Sequence, residues 1–355
     1  MINFGAFEQA RKKYKNEDFP FLSGQRITAQ KNKPYQGLHI LHNIPLTIEA
    51  VLKIEPLLLG GADLTMSCIS ILEPQKIALE ILKDAHVKIQ IEHHFTGQYD
   101  FCMDCCGELL DIVCPKIGAS ELTQTGSEKY KKALINYPMI SIDDSELKWL
   151  ETIFGTSEGF IQAVLKHISN GLWNKKVVVF GYGKVGTGLV SSLLKFTDNI
   201  VVIDIDDSKL LRAIKKGIKT IYGIDKQEVL ANIINADLVV TATGVEKVLS
   251  NYYGLHKDNF KKAVLTNMGA EDEYGDNFPI ESVLFNKKPL NFMLVEPTTI
   301  KYLDPILYAH NFALDLILSN DFKKGYNPLP SEVATFIFEK WCHFHNEEMP
   351  QIHSY

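Results

Sequence analysis

The stretch KKVVVFGYGKVGTG, from Lys175 to Gly188, decides the fold. Its apolar part, 177–180, predicts a buried strand, and GYGKVG at 181–186 is a GxGxxG turn that opens a helix. In such a turn Gly181 permits the tight bend, Gly183 lets the backbone approach a pyrophosphate, and Gly186 allows close helix–strand packing. The helix start adds free N–H groups and the positive end of its dipole. We therefore predict a dinucleotide site here.

A second predicted strand, 199–203, ends in Asp204, 18 residues after Gly186. A carboxylate at this spacing accepts hydrogen bonds from the adenosine ribose and repels a 2′-phosphate, which favours NAD over NADP. Two later predicted strands end in small or polar residues, with Thr243 and Gly244 after the first and Asn267 in the second. The alternative is a glycine-rich turn that binds no cofactor. The order of strand, turn and helix favours bound NAD.

Length and charge bound the other classes. A chain of 355 residues is long enough for about two domains. Its net charge of −6 gives no basic face, so we expect no nucleic-acid partner. The first residues lack the apolar core of a secretory signal, and no apolar run reaches membrane-spanning length. We expect a cytoplasmic protein that acts on a small molecule, with no membrane partner.

The cysteines raise a separate question. Four of the six lie in FCMDCCGELLDIVC, shortly after His93 and His94. Cys102 and Cys105, with Cys114 or a histidine, have spacing that could hold zinc. The alternative is that they are small apolar residues around a buried strand. Because the chain has no second CxxC pair, we predict no metal.

Strands and helices alternate along the first part of the chain. Predicted strands at 38–41, 64–70, 87–91, 99–105 and 139–142 are interleaved with predicted helices at 47–59 and 74–84. This alternation predicts an α/β fold with a doubly wound parallel sheet. We expect a substrate domain at 1–160, a Rossmann NAD-binding domain at 161–300, and C-terminal helices at 301–355 that return to the first domain. Ligands in such sheets lie at the carboxyl ends of strands, near Thr47, Glu49 and Asp104.

A lysine and a glutamate share one predicted helix face. The sequence Asp143-Asp144-Ser145 is expected to cap a helix that carries Lys148 and Glu151, three residues apart. Spacing alone favours a solvated ion pair over a catalytic amine held by a carboxylate.

Taken together, these segments resemble the S-adenosylhomocysteine hydrolase family along nearly the whole chain. The resemblance rests on GYGKVGTG, VVIDID, ADLVVTATG and LTNMG in the second half, and on TIEAVLKIEPLLLGGADL, DCCGEL, ELTQTG and PMISIDDSELK in the first. It implies two domains closing over a cleft, and a homo-oligomer. It also implies tightly held NAD that oxidises the 3′-hydroxyl of a nucleoside, elimination and water addition at C5′, and final re-reduction.

The resemblance also implies roles for individual residues. Lys148 matches the catalytic lysine and Glu151, across a one-residue deletion, its carboxylate partner, which reverses the preference drawn from spacing. The implied substrate residues are Thr47, Glu49, Gln75 (after one inserted residue) and Asp104. The predicted cofactor residues are Gly181, Gly183, Lys184, Val185, Gly186, Asp204, Thr123, Gln124, Thr125, Thr243, Gly244 and Asn267.

Several expected groups are replaced. Pro45 and Ala270 stand where the family has histidines, and Cys105 and Leu122 stand where it has carboxylates. The residues for hydride transfer are kept, while those for elimination and hydration are largely lost. We therefore expect NAD-dependent oxidation of a hydroxyl on a nucleoside-like or other small substrate. The alternatives are true S-adenosylhomocysteine hydrolysis, with Asp104, His42 and His310 as substitutes, and a non-catalytic NAD-binding regulatory protein.

Overall fold

The computed structural model describes residues 1–168, 171–319 and 321–348. The described chain divides into two compact units. One comprises Met1–Glu151 with the described part of Ile300–Pro350, and the other comprises the described part of Thr152–Thr299. Each unit is built on a parallel β-sheet, and the predicted α/β fold class is confirmed. Within the described residues, no helix is long and apolar enough to cross a membrane.

The first unit is built on a seven-stranded sheet, in the order β12-β6-β5-β4-β1-β2-β3, whose neighbouring strands all pair in parallel. The late strand β12 lies at the edge and pairs with β6, so the chain returns to this sheet after leaving it. The strands are β1 (His39–Asn43), β2 (Asp63–Ser67), β3 (Lys88–Ile89), β4 (Phe101–Asp104), β5 (Gly118–Glu121), β6 (Pro138–Ser141) and β12 (Gly325–Pro328).

Helices cover this sheet. Ile48–Leu58 in α3 are all buried, and the buried residues include the charged Glu49, Lys53 and Glu55 as well as the apolar side chains. The long α11 packs on α2 and reaches β5. The helices of the unit are α1 (Phe7–Arg11), α2 (Pro20–Asn32), α3 (Ile48–Leu59), α4 (Lys76–Asp84), α5 (Gln124–Lys132), α11 (Ile300–Ser319) and α12 (Ser331–His345).

The second unit has a five-stranded parallel sheet in the order β11-β10-β7-β8-β9. Alternate residues of β7 enter two cores: Val177 and Val179 pack on one side, Val178 and Phe180 on the other. The strands are β7 (Val177–Phe180), β8 (Ile200–Asp204), β9 (Lys219–Tyr222), β10 (Leu238–Thr241) and β11 (Val264–Asn267). The helices are α6 (Thr156–Val164), α7 (Lys184–Leu193), α8 (Asp207–Lys215), α9 (Lys226–Ile233) and α10 (Val248–Asn251).

The segment after β6 begins with turns, and the helical stretch that carries Lys148 and Glu151 starts at 148. Residues 143–147 form turns, in which Ser145 Oγ donates to Ile142 O at 2.7 Å, and the N–H groups of residues 148–150 bond three residues back. A π-helical segment, Leu150–Gly155, follows and leads into α6. Such wide turns frequently occur at functional sites.

Candidate functional site

The glycine-rich turn lies at the carboxyl end of β7, where the strand order of the second sheet reverses. Gly181 has a φ of +95°, and a Cβ there would overlap Ala242 O. A Cβ on Gly186 would overlap Gly181 O, so α7 packs on the turn only without a side chain. A Cβ on Gly183 would meet no atom within 4 Å. The backbone is therefore open at Gly183, and α7 begins directly after it at Lys184 and Val185, both half-buried.

Asp204 ends β8 beside this turn. Its buried carboxylate accepts the N–H of Tyr182 at 2.7 Å through Oδ2 and the N–H of Asp206 at 3.0 Å through Oδ1. Lys209 Nζ lies 3.8 Å from Oδ2. Asp204 thus fixes the backbone of the glycine-rich turn. Its contact with a ribose stays a prediction.

One glutamate, which the sequence did not indicate, connects the ends of β10 and β11. Glu273 is fully buried and accepts the N–H groups of Thr243 and Gly244 at 2.9 and 2.6 Å. Burial raises the pKa of Glu273 to about 7, although these two N–H groups act to lower it. Asn267 closes the same loop, since its Nδ2 donates to Glu271 O at 2.7 Å. Within the run Glu271-Asp272-Glu273, nothing in the sequence separates the buried carboxylate from its neighbours.

In the first unit, Lys148 and Glu151 are brought together as their spacing requires. Lys148 is 3% exposed, and its Nζ donates to Glu151 Oε2. Burial acts to lower the pKa of Lys148, but the charges of Glu151 and Asp143 outweigh burial and raise that pKa above its usual value. The amine is therefore held as a buried ammonium beside a carboxylate.

Asp104 is placed beside a second unforeseen carboxylate. Asp104 and Glu121 are paired across the ends of β4 and β5, and both are fully buried. Asp104 accepts from Cys105 N, Leu109 N and Tyr130 OH at 2.8–3.0 Å. Burial raises the pKa of Asp104 to about 6. Burial and then the charge of Asp104 raise the pKa of Glu121 to about 8.

Glu121 ties two loops together. It accepts the N–H groups of Cys106, Gly107 and Thr123 at 2.7–3.1 Å, and the Thr123 hydroxyl at 2.7 Å. Glu121 and Asp104 both accept hydrogen bonds from N–H groups of the loop after β4. The two carboxylates therefore order this loop. The rule that parallel strand ends meet would have found Glu121, but GASE at 118–121 is too small and polar to be recognised as a strand.

Three of the predicted substrate residues, Thr47, Glu49 and Gln75, lie in one region. Thr47 precedes α3, its side chain bonds to Glu49, and Gln75 N donates to Leu46 O at 2.9 Å. Glu49 is 1% exposed and accepts the hydroxyl of Tyr14, while burial raises its pKa. Its Oε2 is buried and meets no hydrogen-bond partner among the described residues.

The threonines predicted to contact the cofactor lie in the first unit, whereas the glycine-rich turn belongs to the second. Thr123 caps α5, and its Oγ1 accepts the N–H of Gly126 at 3.2 Å. Gln124 is exposed, and Thr125 is half-buried. The hydroxyl of Thr123 is thus committed to its own turn and to Glu121.

A buried cluster in the first unit was not foreseen as one group. Lys53 Nζ lies 2.6 Å from His42 Nε2 and donates to Asn311 Oδ1 at 2.6 Å. The ring of His310 lies 5.8 Å from that of His42, centroid to centroid, and both of its nitrogens lack a partner within the described chain. Burial lowers the pKa of Lys53, His42 and His310 well below their usual values.

The cysteine cluster forms no recognisable metal centre. Cys102 and Cys105 are buried, Cys114 is exposed, and all are free thiols. In the part of the chain that the structure describes, no three His, Cys, Asp or Glu side chains are grouped to hold a metal ion.

A parallel sheet with a glycine-rich turn, an open backbone position and an acidic residue at the end of the neighbouring strand defines a dinucleotide-binding domain. Residues 152–289 match the S-adenosyl-L-homocysteine hydrolase NAD binding domain family, which confirms NAD as the cofactor. The chain is also similar to the S-inosyl-L-homocysteine hydrolase of Methanopyrus kandleri, with 24% identity over 283 residues. The chain is thus similar to S-adenosylhomocysteine hydrolase-like proteins, and its residues 152–289 match the NAD-binding domain of that family.

The extent of these likenesses is limited. The alignment with the Methanopyrus kandleri protein covers 72% of this chain and 65% of that protein. Among solved structures, a dipicolinate synthase chain from Bacillus halodurans matches with a TM-score of 0.48 and 12% identity, covering 79% of this chain and 98% of that chain. The corresponding dipicolinate synthase chain from Bacillus subtilis matches with a TM-score of 0.46 and 15% identity, covering 81% and 99% respectively.

Proposed function

We propose that the protein oxidises a hydroxyl group of a nucleoside-like small substrate, with NAD as the hydride acceptor. The observation that carries this proposal is the buried Lys148–Glu151 pair in the unit outside the NAD-binding domain. Burying an ammonium costs solvation energy, and ionisable groups with shifted pKa values cluster at functional sites. NAD, when bound, supplies the oxidising equivalent.

Lys148 and Glu151 divide the work on the hydroxyl proton. The ammonium of Lys148 favours the alkoxide form of a hydroxyl placed against it, because a nearby positive charge lowers the pKa of that hydroxyl. The Glu151 carboxylate orients Lys148 and can take the proton in turn. Thr47, Glu49, Gln75 and Asp104 are the proposed substrate residues. The free Oε2 of Glu49 is the acceptor, or the donor when protonated, that a heterocyclic base would meet.

The test is to incubate purified protein with a panel of purine nucleosides and their S-homocysteinyl thioethers. Reduction of the cofactor is measured through the absorbance of reduced nicotinamide. Lys148→Met should lower the rate of reduction at least a hundredfold, since general acid–base groups contribute about 10²–10⁴-fold. Bound NAD should be unchanged in the variant. No reduction by any compound, or an unaltered rate in Lys148→Met, would contradict the proposal.

Hydrolysis of an S-nucleosyl-homocysteine is the second candidate, because the Methanopyrus kandleri relative is named for such a reaction. The same incubations test it through release of the homocysteine thiol. The residues that would replace the lost acid–base groups, Asp104, His42 and His310, are fully buried. Burial lowers the pKa of both histidine rings, and the Asp104 carboxylate is bonded to Cys105 N, Leu109 N and Tyr130 OH. We therefore expect cofactor reduction without thiol release. Stoichiometric thiol release would instead favour the hydrolase.

A further inference from the structure

Glu273 joins the ends of two strands at the cofactor edge of the second sheet. Its two carboxylate oxygens are divided between two successive backbone N–H groups: Oε2 accepts from Thr243 and Oε1 from Gly244. The side chain is fully buried, and the neighbouring hydroxyl of Thr241 donates to Asn267 Oδ1 at 2.9 Å. Ionised oxygens bound to backbone N–H groups make strong hydrogen bonds. The turn after β10 is thus held by one side chain from a distant loop.

The loop that carries Glu273 is shaped around its carboxylate. A Cβ on Gly269 would lie 2.0 Å from Glu273 Oε1, so a larger residue at this position would displace the carboxylate. Asn267 Oδ1 accepts the Gly269 N–H at 3.0 Å, and its Nδ2 donates to Lys287 O at 2.6 Å. These contacts fix both ends of the loop. The carboxylate therefore has a set position before any ligand arrives.

The turn held by Glu273 touches the glycine-rich turn. Any Cβ on Gly181 would overlap Ala242 O and lie 3.0 Å from Thr243 Cα, so the two backbones are in direct contact. On its other side the turn is open: Gly244 is exposed with a φ of +73°, and a Cβ there would meet no atom within 4 Å. A shift of Thr243 would accordingly move one wall of the turn that receives the pyrophosphate.

We propose that Glu273 is a positioning residue of the NAD site, which holds the Thr243–Gly244 turn, and through it the glycine-rich turn, in the conformation that binds the cofactor. It acts through backbone and makes no contact with the reacting atoms. The proposal rests on NAD binding alone and is independent of the substrate proposed above.

The charged groups around this loop leave Glu273 without a cationic partner in the described structure. Lys247, just before α10, pairs with Asp276 at 3.1 Å, and Lys287 pairs with Asp272 at 3.2 Å. Tyr274 follows Glu273, and its buried hydroxyl donates to backbone carbonyls. The backbone donors are thus the main support for a charged carboxylate, and its protonation weakens both bonds.

The experiment is calorimetric titration of the full chain with NAD between pH 5.5 and 8.5. The wild-type affinity should fall about tenfold as the pH is lowered through about 7, the pKa of Glu273, since a hydrogen bond to a charged group contributes about 1.5–3 kcal/mol. Glu273→Gln should bind NAD about tenfold more weakly at pH 8.5 and show no such fall. An affinity within twofold of wild type at pH 8.5, with the same pH profile, would overturn the proposal.

Asp304 supplies a matched control in the other unit. It is also fully buried, accepts two backbone N–H groups, from Phe21 at 2.8 Å and Leu22 at 2.9 Å, and has a pKa raised by burial to about 7. Asp304→Asn should lower the melting temperature yet keep the wild-type pH profile of NAD affinity. If that profile is lost in Asp304→Asn as well, the effect is one of general stability and the proposal fails.

If Glu273→Gln does not fold, a variant that preserves the charge provides the test. Glu273→Asp keeps the carboxylate but is one methylene too short to reach both N–H groups. It should bind NAD more weakly while retaining a pH-dependent affinity. Wild-type affinity in Glu273→Asp would show that the reach of the carboxylate does not matter, and would overturn the proposal.

Discussion

At the scale of single residues, Lys148 depends on Glu151 for its charge. Burial alone would lower the pKa of Lys148, and the carboxylates of Glu151 and Asp143 offset that effect. Because a carboxamide keeps the shape of Glu151 and removes its charge, we expect Glu151→Gln to lower the pKa of Lys148. The pH at which an amine-reactive reagent begins to label Lys148, read by peptide mass spectrometry, should therefore fall in the variant.

The control for this measurement lies in the same segment. Glu146 is exposed and two residues before Lys148, so Glu146→Gln should leave the onset of labelling where the wild type has it. An onset that is identical in Glu151→Gln and wild type would show that the neighbouring carboxylate does not govern the amine.

At the scale of elements, α7 packs through Gly188 against Ile153, which lies in the π-helical segment Leu150–Gly155 before α6. A Cβ on Gly188 would lie 2.6 Å from Ile153 Cα and 2.7 Å from Ile153 O, where backbone rather than a flexible side chain must move. We expect Gly188→Ala to destabilise the protein by about 1–3 kcal/mol, the usual cost of overpacking. Thermal unfolding followed by circular dichroism should show a clear fall in melting temperature.

Gly24, inside α2, is the matched comparison for this substitution. A Cβ there would meet no atom within 4 Å. Gly24→Ala should therefore leave stability unchanged or raise it by about 0.5–1 kcal/mol, because alanine loses less backbone entropy in a helix. Equal losses in the two variants would argue against close packing at Gly188.

Some strands could be predicted from the sequence and others could not. Strands with apolar runs, such as β7 and β10, were predicted because a buried parallel strand needs such residues on both faces. Strand β12, with the sequence GYNP, was missed, since glycine and proline normally argue against a strand and are tolerated at a sheet edge. Its pairing with β6, which is close to 190 residues away in the chain, is a tertiary effect that no local pattern carries.

The site divides in the same way. The glycine-rich turn and Asp204 are marked by a short spacing of residues within one strand–turn–helix–strand segment. The sequence therefore predicts where they lie. Glu121 and Glu273 do not, because each is defined by backbone N–H groups of other loops. A carboxylate that acts on distant backbone has no sequence signature of its own.

At the scale of the whole molecule, Lys53 connects parts of the first unit that are far apart in sequence. From α3 it reaches His42 on β1 and Asn311 on α11, 258 residues away. Asn311 in turn donates to Gln25 Oε1 of α2 at 2.9 Å. Three of these elements therefore meet on one fully buried amine, and α2 joins them through Asn311. A buried polar network of this kind specifies a unique packing only while every partner is present.

The amine also links stability to pH. Burial lowers the pKa of Lys53 well below its usual value, so below about pH 10.5 the unfolded chain binds a proton that the folded chain does not. Stability contributed by Lys53 is accordingly present above the unfolded pKa and is lost as the pH falls towards the folded pKa. Lys53→Met removes this dependence. The stability of wild type relative to Lys53→Met should thus increase with pH, by up to about 1.4 kcal/mol per pH unit.

Urea unfolding of both proteins at several values between pH 6 and 9 measures that difference. Met has no donor for His42 Nε2 and Asn311 Oδ1, so the variant also loses a constant amount of stability at every pH. The slope with pH, rather than this offset, identifies the buried amine. Lys83→Met, on the exposed side of α4, should show an almost flat difference across the same range. A flat difference for Lys53→Met as well would mean that Lys53 keeps its proton in the folded protein, with His42 and Asn311 sharing a buried ammonium.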